Sequence, residues 1–113
     1  MTYQHIIESL DCSVFHEGDE FAEAEIRDVV TSDLMSDVLL ADTEDFILVT
    51  SLSSDQVIRT ADIVSARGVL LVNGKKPQAG MLKLAKDHGL TLLGTSSRTF
   101  PACVALARLL EQC

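Results

Sequence analysis

Tryptophan is absent from the 113 residues, tyrosine occurs once, and aromatics together make up 4% of the chain. That scarcity removes the stacking platforms on which single-strand RNA and DNA binders rely. Basic residues are also few, nine against 17 acidic ones, for a net charge of −8. Binding along a phosphate backbone is therefore excluded, and no nucleic-acid partner is expected. The three cysteines (Cys12, Cys103, Cys113) form no C-x-x-C, and the three histidines (His5, His16, His88) form no H-x-x-x-H, so no structural zinc site is expected. No apolar run approaches the length of a membrane span, and the amino terminus lacks a basic stretch followed by an apolar one. A cytoplasmic protein without membrane attachment is the expectation. Gly-x-Gly-x-x-Gly and Gly-x-Ser-x-Gly do not occur. The stretch from Gly68 to Gly74-Lys75-Lys76 is one residue too long for a phosphate loop and lacks the hydroxyl residue after the lysine. The chain thus offers no nucleophile–base pair, metal-ligand set or cofactor loop, and no catalysis is expected.

The charge that is present is unevenly placed. Residues 1–45 carry 13 acidic side chains against Arg27 alone, whereas residues 46–113 carry four acidic and eight basic ones. An acidic surface keeps a small protein soluble, and the basic remainder suits an anion. One domain spanning 1–113 is expected, long enough to bury roughly two thirds of its unfolded surface.

From Phe46 onward, three short apolar runs (46–50, 69–72 and 90–93) alternate with stretches of helical spacing. Val57, Ile58, Ala61 and Val64 mark one helix, with Ser54 as its N-cap and Gly68 as its close. Met81, Leu82 and Ala85 mark a second, started by Pro77 and ended by Gly89, with His88 complementing its carboxyl end. A third runs over about 100–112. Uniformly apolar strands between helices predict an α/β, Rossmann-like, three-layer domain: a mainly parallel sheet covered on both faces, with right-handed crossovers. In the first third, Thr2 caps a helix carrying Tyr3, Ile6, Ile7 and Leu10. Val14-Phe15 and residues 25–30 read as strands, and residues 32–41 as a short helix with Leu34 and Val38 inward. The last helix bears two apolar stripes, Cys103/Leu106/Leu110 and Ala102/Ala105/Leu109, with Cys103 read as a buried thiol. The second stripe is to be covered by the acidic first third or, in a homodimer, by a second copy.

Ligands of parallel sheets bind beyond the carboxyl ends of the strands. Three loops share that edge here, and they supply Ser53, Ser54, Asn73, Gly74, Lys75, Ser97, Arg98 and Thr99 as a candidate anion site. The plain alternative is that these hydroxyls only cap helices. Asp33 and Asp37, four apart on the predicted short helix, form a secondary candidate as cation ligands or an acid–base pair. The plainer and preferred reading is a cap-region residue and its solvated neighbour.

Residues 32–38 (Ser-Asp-Leu-Met-Ser-Asp-Val), the strand and loop through Asp55, residues 68–77 (Gly-Val-Leu-Leu-Val-Asn-Gly-Lys-Lys-Pro) and residues 95–110 resemble the DRTGG-domain family. The resemblance covers almost the whole chain and is to the small stand-alone members. That family is similar to the amino-terminal domain of HPr kinase/phosphorylase, and it occurs within some phosphotransacetylases and beside CBS domains. The resemblance implies a regulatory or ligand-sensing domain with no catalytic residues of its own. It also implies an anaerobic prokaryotic source, some members being encoded near hydrogenase-type redox proteins. Where the name-giving motif would fall, residues 51–55 read Ser-Leu-Ser-Ser-Asp, with neither the arginine nor the glycines. Two functions follow as expectations. One is a regulatory module binding a small anion, a nucleotide among the candidates, at the sheet edge. The other is an adaptor for a redox or kinase partner with no small-molecule ligand.

Overall fold

The three apolar runs form the centre of the sheet. The computed structural model describes residues 1–112, in the order α1 (Tyr3–Leu10), β1 (Ser13–His16), β2 (Asp28–Thr31), α2 (Met35–Val38), β3 (Phe46–Thr50), α3 (Asp55–Ile63), β4 (Gly68–Leu71), α4 (Ala79–His88), β5 (Thr91–Gly94) and α5 (Thr99–Gln112). The five strands lie in the order β1-β5-β4-β3-β2. All pairings are parallel except β1 with β5. Every residue of β3, β4 and β5 is buried, as uniformly apolar strands require when both faces are covered.

Period-two alternation sorts the side chains between two cores. Phe46, Leu48, Val69, Leu71 and Leu92 face α2, α3 and α4, together with Val57, Ile58, Met81 and Ala85. Ile47, Val49, Leu70, Val72 and Leu93 face α1 and α5, against Tyr3, Ile6, Ala102 and Leu106. The strand order from β2 to β5 steps one way, so crossovers of a single hand place α2, α3 and α4 on the same face. The three-layer α/β expectation holds.

Several local expectations shift. Thr2 does cap α1, its Oγ1 accepting from the His5 amide at 3.2 Å while His5 Nδ1 accepts from the Thr2 amide at 3.1 Å. Gly68 does not close α3. The helix ends at Ile63, Ser65 takes the left-handed turn at φ 58°, and Gly68 opens β4 instead. A Cβ at Gly68 would lie 2.4 Å from the Tyr3 hydroxyl, so close packing rather than helix termination fixes glycine there. Ser54 occupies the N-cap of α3 without a side-chain cap bond. Helix α4 starts two residues beyond Pro77, at Ala79, and ends at Gly89 as expected. The predicted helix over 32–41 shrinks to one turn. Met35 and Val38 point inward, while Leu34 is 57% exposed, because residues 32–34 are held in an extended turn by the Ser32 hydroxyl. The strand expected at 25–30 is paired only over 28–31.

On α5, Ala102 and Leu106 are buried, and Cys103, Ala105, Leu109 and Leu110 pack half-buried against the same core as α1. Of the second stripe, Ala102 is buried within the chain, whereas Ala105 and Leu109 are half-exposed. Cys103 is half-buried rather than buried, its Sγ 3.2 Å from the Thr31 hydroxyl. Cys113 lies outside the described residues.

Candidate functional site

The loops after β2, β3, β4 and β5 meet at the carboxyl edge. Thr50 ends β3 there, Asn73-Gly74 follow β4, and residues 95–98 lead into α5. Asn73 and Gly74 both adopt positive φ (62° and 68°), a turn that reverses the chain within two residues. The turn is tied to its neighbour: the Asn73 amide donates to Ser97 O at 2.8 Å and the Gly74 amide to Thr95 O at 3.0 Å. Lys75 N donates to Val72 O at 3.2 Å, and Asn73 Nδ2 reaches Thr99 Oγ1 at 3.5 Å. Asn73, Gly74, Lys75, Ser97, Arg98 and Thr99 are thus brought onto two adjacent loops, as the sequence indicates. Ser53 and Ser54 are not. They begin α3, where Ser53 O accepts from the Gln78 amide at 3.0 Å.

Because protein carbonyls already take the 73–75 amides, the edge is not a ready-made amide cradle. Its available donors are the Lys75, Lys76 and Arg98 side chains and the first-turn amides of α5, Thr99 and Phe100, which have no intrahelical acceptor. The three cations are exposed, and among the described residues none forms an ion pair. They flank two open depressions that share Ser96. One, of 290 Å³, runs from Lys75 and Lys76 past Thr95 to Asp11, Ser13 and Phe15. The other, of 330 Å³, lies between Asn73, Ser96 and Arg98. Sequence reasoning missed Ser13, Phe15 and Ser96. The first two arrive only because β1 pairs antiparallel with β5, a long-range contact without a local signal.

Asp33 and Asp37 do not form a paired site. Asp33 precedes α2, and its carboxylate accepts from Thr50 Oγ1 at 2.9 Å, the Ser51 amide at 2.7 Å and Ser51 Oγ at 2.6 Å. These bonds, led by the Ser51 amide, hold the Asp33 carboxyl below the usual carboxylate range. Asp37 sits exposed on the one-turn helix. Asp33 is therefore a brace that fixes the loop after β3. Cys12 is likewise unsuited to nucleophilic work, because burial pushes its thiol up to about 11. Among the described residues no histidine, cysteine and carboxylate set is close enough to hold a metal ion. His88 stands in the last turn of α4, as expected, and faces Asp62 at 3.4 Å.

The mainly parallel five-stranded sheet flanked by helices is an α/β fold, DRTGG-like in its similarity to a solved regulatory region. One match is the structure of the CBS and DRTGG domains of the regulatory region of Clostridium perfringens pyrophosphatase, complexed with its activator diadenosine tetraphosphate. It has a TM-score of 0.71 at 18% identity, covering 98% of this chain. The present chain spans 46% of that one. Neither a protein-family model nor a curated protein matches the sequence. No described helix is long and apolar enough to cross a membrane.

Proposed function

We propose that the chain is a non-enzymatic regulatory domain that senses a small anionic ligand, a nucleotide phosphate, at the carboxyl edge of its sheet. The single observation behind this reading is the placing of Lys75, Lys76 and Arg98, none of them in an ion pair among the described residues, on two depressions that share Ser96. Like-charged side chains held together repel one another, and an anion bridging them relieves that cost. The fold likeness to a nucleotide-activated regulatory region supports the same reading. A thermal-shift series with ADP, ATP, diadenosine tetraphosphate and inorganic phosphate tests it. Saturation at 100 times the dissociation constant adds about 2.7 kcal/mol, roughly a 10 °C rise in Tm. Loss of the rise in Lys75→Ala and Arg98→Ala is expected. No rise with any of the four anions sinks the proposal.

The second reading, an adaptor for a redox or kinase partner, is favoured by exposed Leu34, Leu39, Leu40 and Phe100, the last 78% exposed. A homodimer also stays a proposal, with the half-exposed Ala105 and Leu109 of α5 as part of its surface. Cytoplasmic placement belongs to the same proposal.

A further inference from the structure

Strand β1 lies at the edge of the sheet and pairs with β5 alone. Its register shifts on the way: Val14 stands opposite Leu93, and His16, two residues on, stands opposite Leu92, the adjacent residue of β5. Phe15 is therefore the extra residue of a bulge, a device that re-aims a side chain and recurs beside ligand sites at sheet edges. Its ring comes to lie over the end of β5. A Cβ at Gly94 would stand 2.4 Å from Phe15 Cε2 and 3.1 Å from Cζ, so glycine at that position makes room for the ring. The ring packs against the core under α3 and α4, yet Phe15 is only half-buried, and it lines the 290 Å³ depression that Lys75 and Lys76 also line.

That depression is about ten times the ~30 Å³ of one water, and close to the ~300 Å³ at which pockets for organic ligands begin. Its wall carries three chemistries. Lys75 and Lys76 are exposed cations without an ion pair among the described residues. Asp11, the left-handed C-cap of α1 at φ 49°, presents an exposed carboxylate, also without one. A carboxylate repels a phosphate and accepts from hydroxyl and amino groups, so the two signs together orient a ligand with one anionic end and one donor-bearing end. Phe15 adds a π surface on which a planar ring stacks. Free phosphate would engage the lysines and leave the ring and the carboxylate idle. A nucleoside phosphate engages all three.

We infer that this depression takes the base of a nucleoside phosphate stacked on the Phe15 ring, with the phosphates on Lys75 and Lys76. The inference rests on the anion reading above and assigns the preference for nucleotide over free phosphate to Phe15. The test is a ¹H–¹⁵N NMR titration of the full chain with ADP and, separately, with pyrophosphate, on wild type, Phe15→Leu and Phe15→Tyr. Both probes are expected to move the amides of residues 74–76, and ADP alone those of 13–16. Wild type should bind ADP roughly fivefold or more tighter than pyrophosphate, as one base–aromatic stack provides. Phe15→Leu keeps the side chain apolar and loses the ring, so it should abolish that preference while leaving pyrophosphate affinity unaltered, which also shows the variant to be folded. Phe15→Tyr should restore the preference. Equal affinity for the two probes in wild type, ADP shifts that spare residues 13–16, an ADP preference that survives Phe15→Leu, or a loss of both affinities alike in that variant overturns the inference and leaves the anion reading standing. Failure of both probes to bind wild type overturns the anion reading, and this inference with it.

Discussion

Asp33 shows how one side chain positions a loop. Three hydrogen bonds converge on its carboxylate from Thr50 and Ser51, the point where β3 passes into the loop before α3. Each bond to a charged group contributes about 1.5–3 kcal/mol when sheltered, and less here because the residue is largely exposed. Asp33→Ala is expected to lower stability by about 1–3 kcal/mol in urea denaturation at pH 7. Its carboxyl is held below the ordinary value in the folded state. The contribution is therefore fully present above the unfolded value near ~4 and is lost as pH falls through the lower folded value. Wild type and Asp33→Ala should converge in stability on acidification through that window. A gap that persists unchanged in acid would show that the brace does not depend on the charge.

At the scale of elements, α5 and the loop before β2 each carry a contact that a substitution tests. Leu109 packs into the core shared by α1 and α5. Leu109→Glu should therefore lower the Tm of a monomer rather than dissociate a dimer, and sedimentation equilibrium alongside thermal melting separates these outcomes. A dimer that falls apart into stable monomers would instead place Leu109 in the homodimer surface. Gly18 makes a sharper case. A Cβ there would stand 2.4 Å from Gly89 O and 2.6 Å from Thr91 N, both backbone atoms that cannot rotate away. Gly18→Ala is expected to cost about 1–3 kcal/mol, as overpacking does, and to expose the Gly18 and Asp19 amides to hydrogen exchange. Protection unchanged from wild type would mean that the loop has another anchor.

These elements also show what a sequence can reveal. Phe46–Thr50 and the runs opening at Gly68 and Thr91 were legible because burial on both faces leaves them apolar except at the terminal Thr50 and Thr91. Thr2 and Gly89 were legible because capping is local. Gly68 misled, since its reason lies in Tyr3, 65 positions earlier in the chain. Asp33 and Leu34 misled because Ser32, Thr50 and Ser51 hold the chain off helical geometry. Six of the eight candidate site residues lie on adjacent loops because they flank consecutive parallel strands, whereas Ser53 and Ser54 follow β3 to the start of α3.

Over the whole molecule, charge is distributed with a purpose that a titration can expose. Residues 1–45 carry a balance of −12 against +4 in the remainder, and the carboxyl edge has Lys75, Lys76 and Arg98. The central claim is that this edge holds an anion, and ¹H–¹⁵N NMR with ADP, diadenosine tetraphosphate and inorganic phosphate at low salt tests it most directly. The account predicts saturable shifts concentrated on Asn73, Gly74, Lys75, Ser96, Arg98, Thr99 and Phe100, weakened by added salt and abolished in the Lys75→Ala/Arg98→Ala double variant. Shifts confined to other surfaces, or an unaltered titration in the double variant, would contradict it.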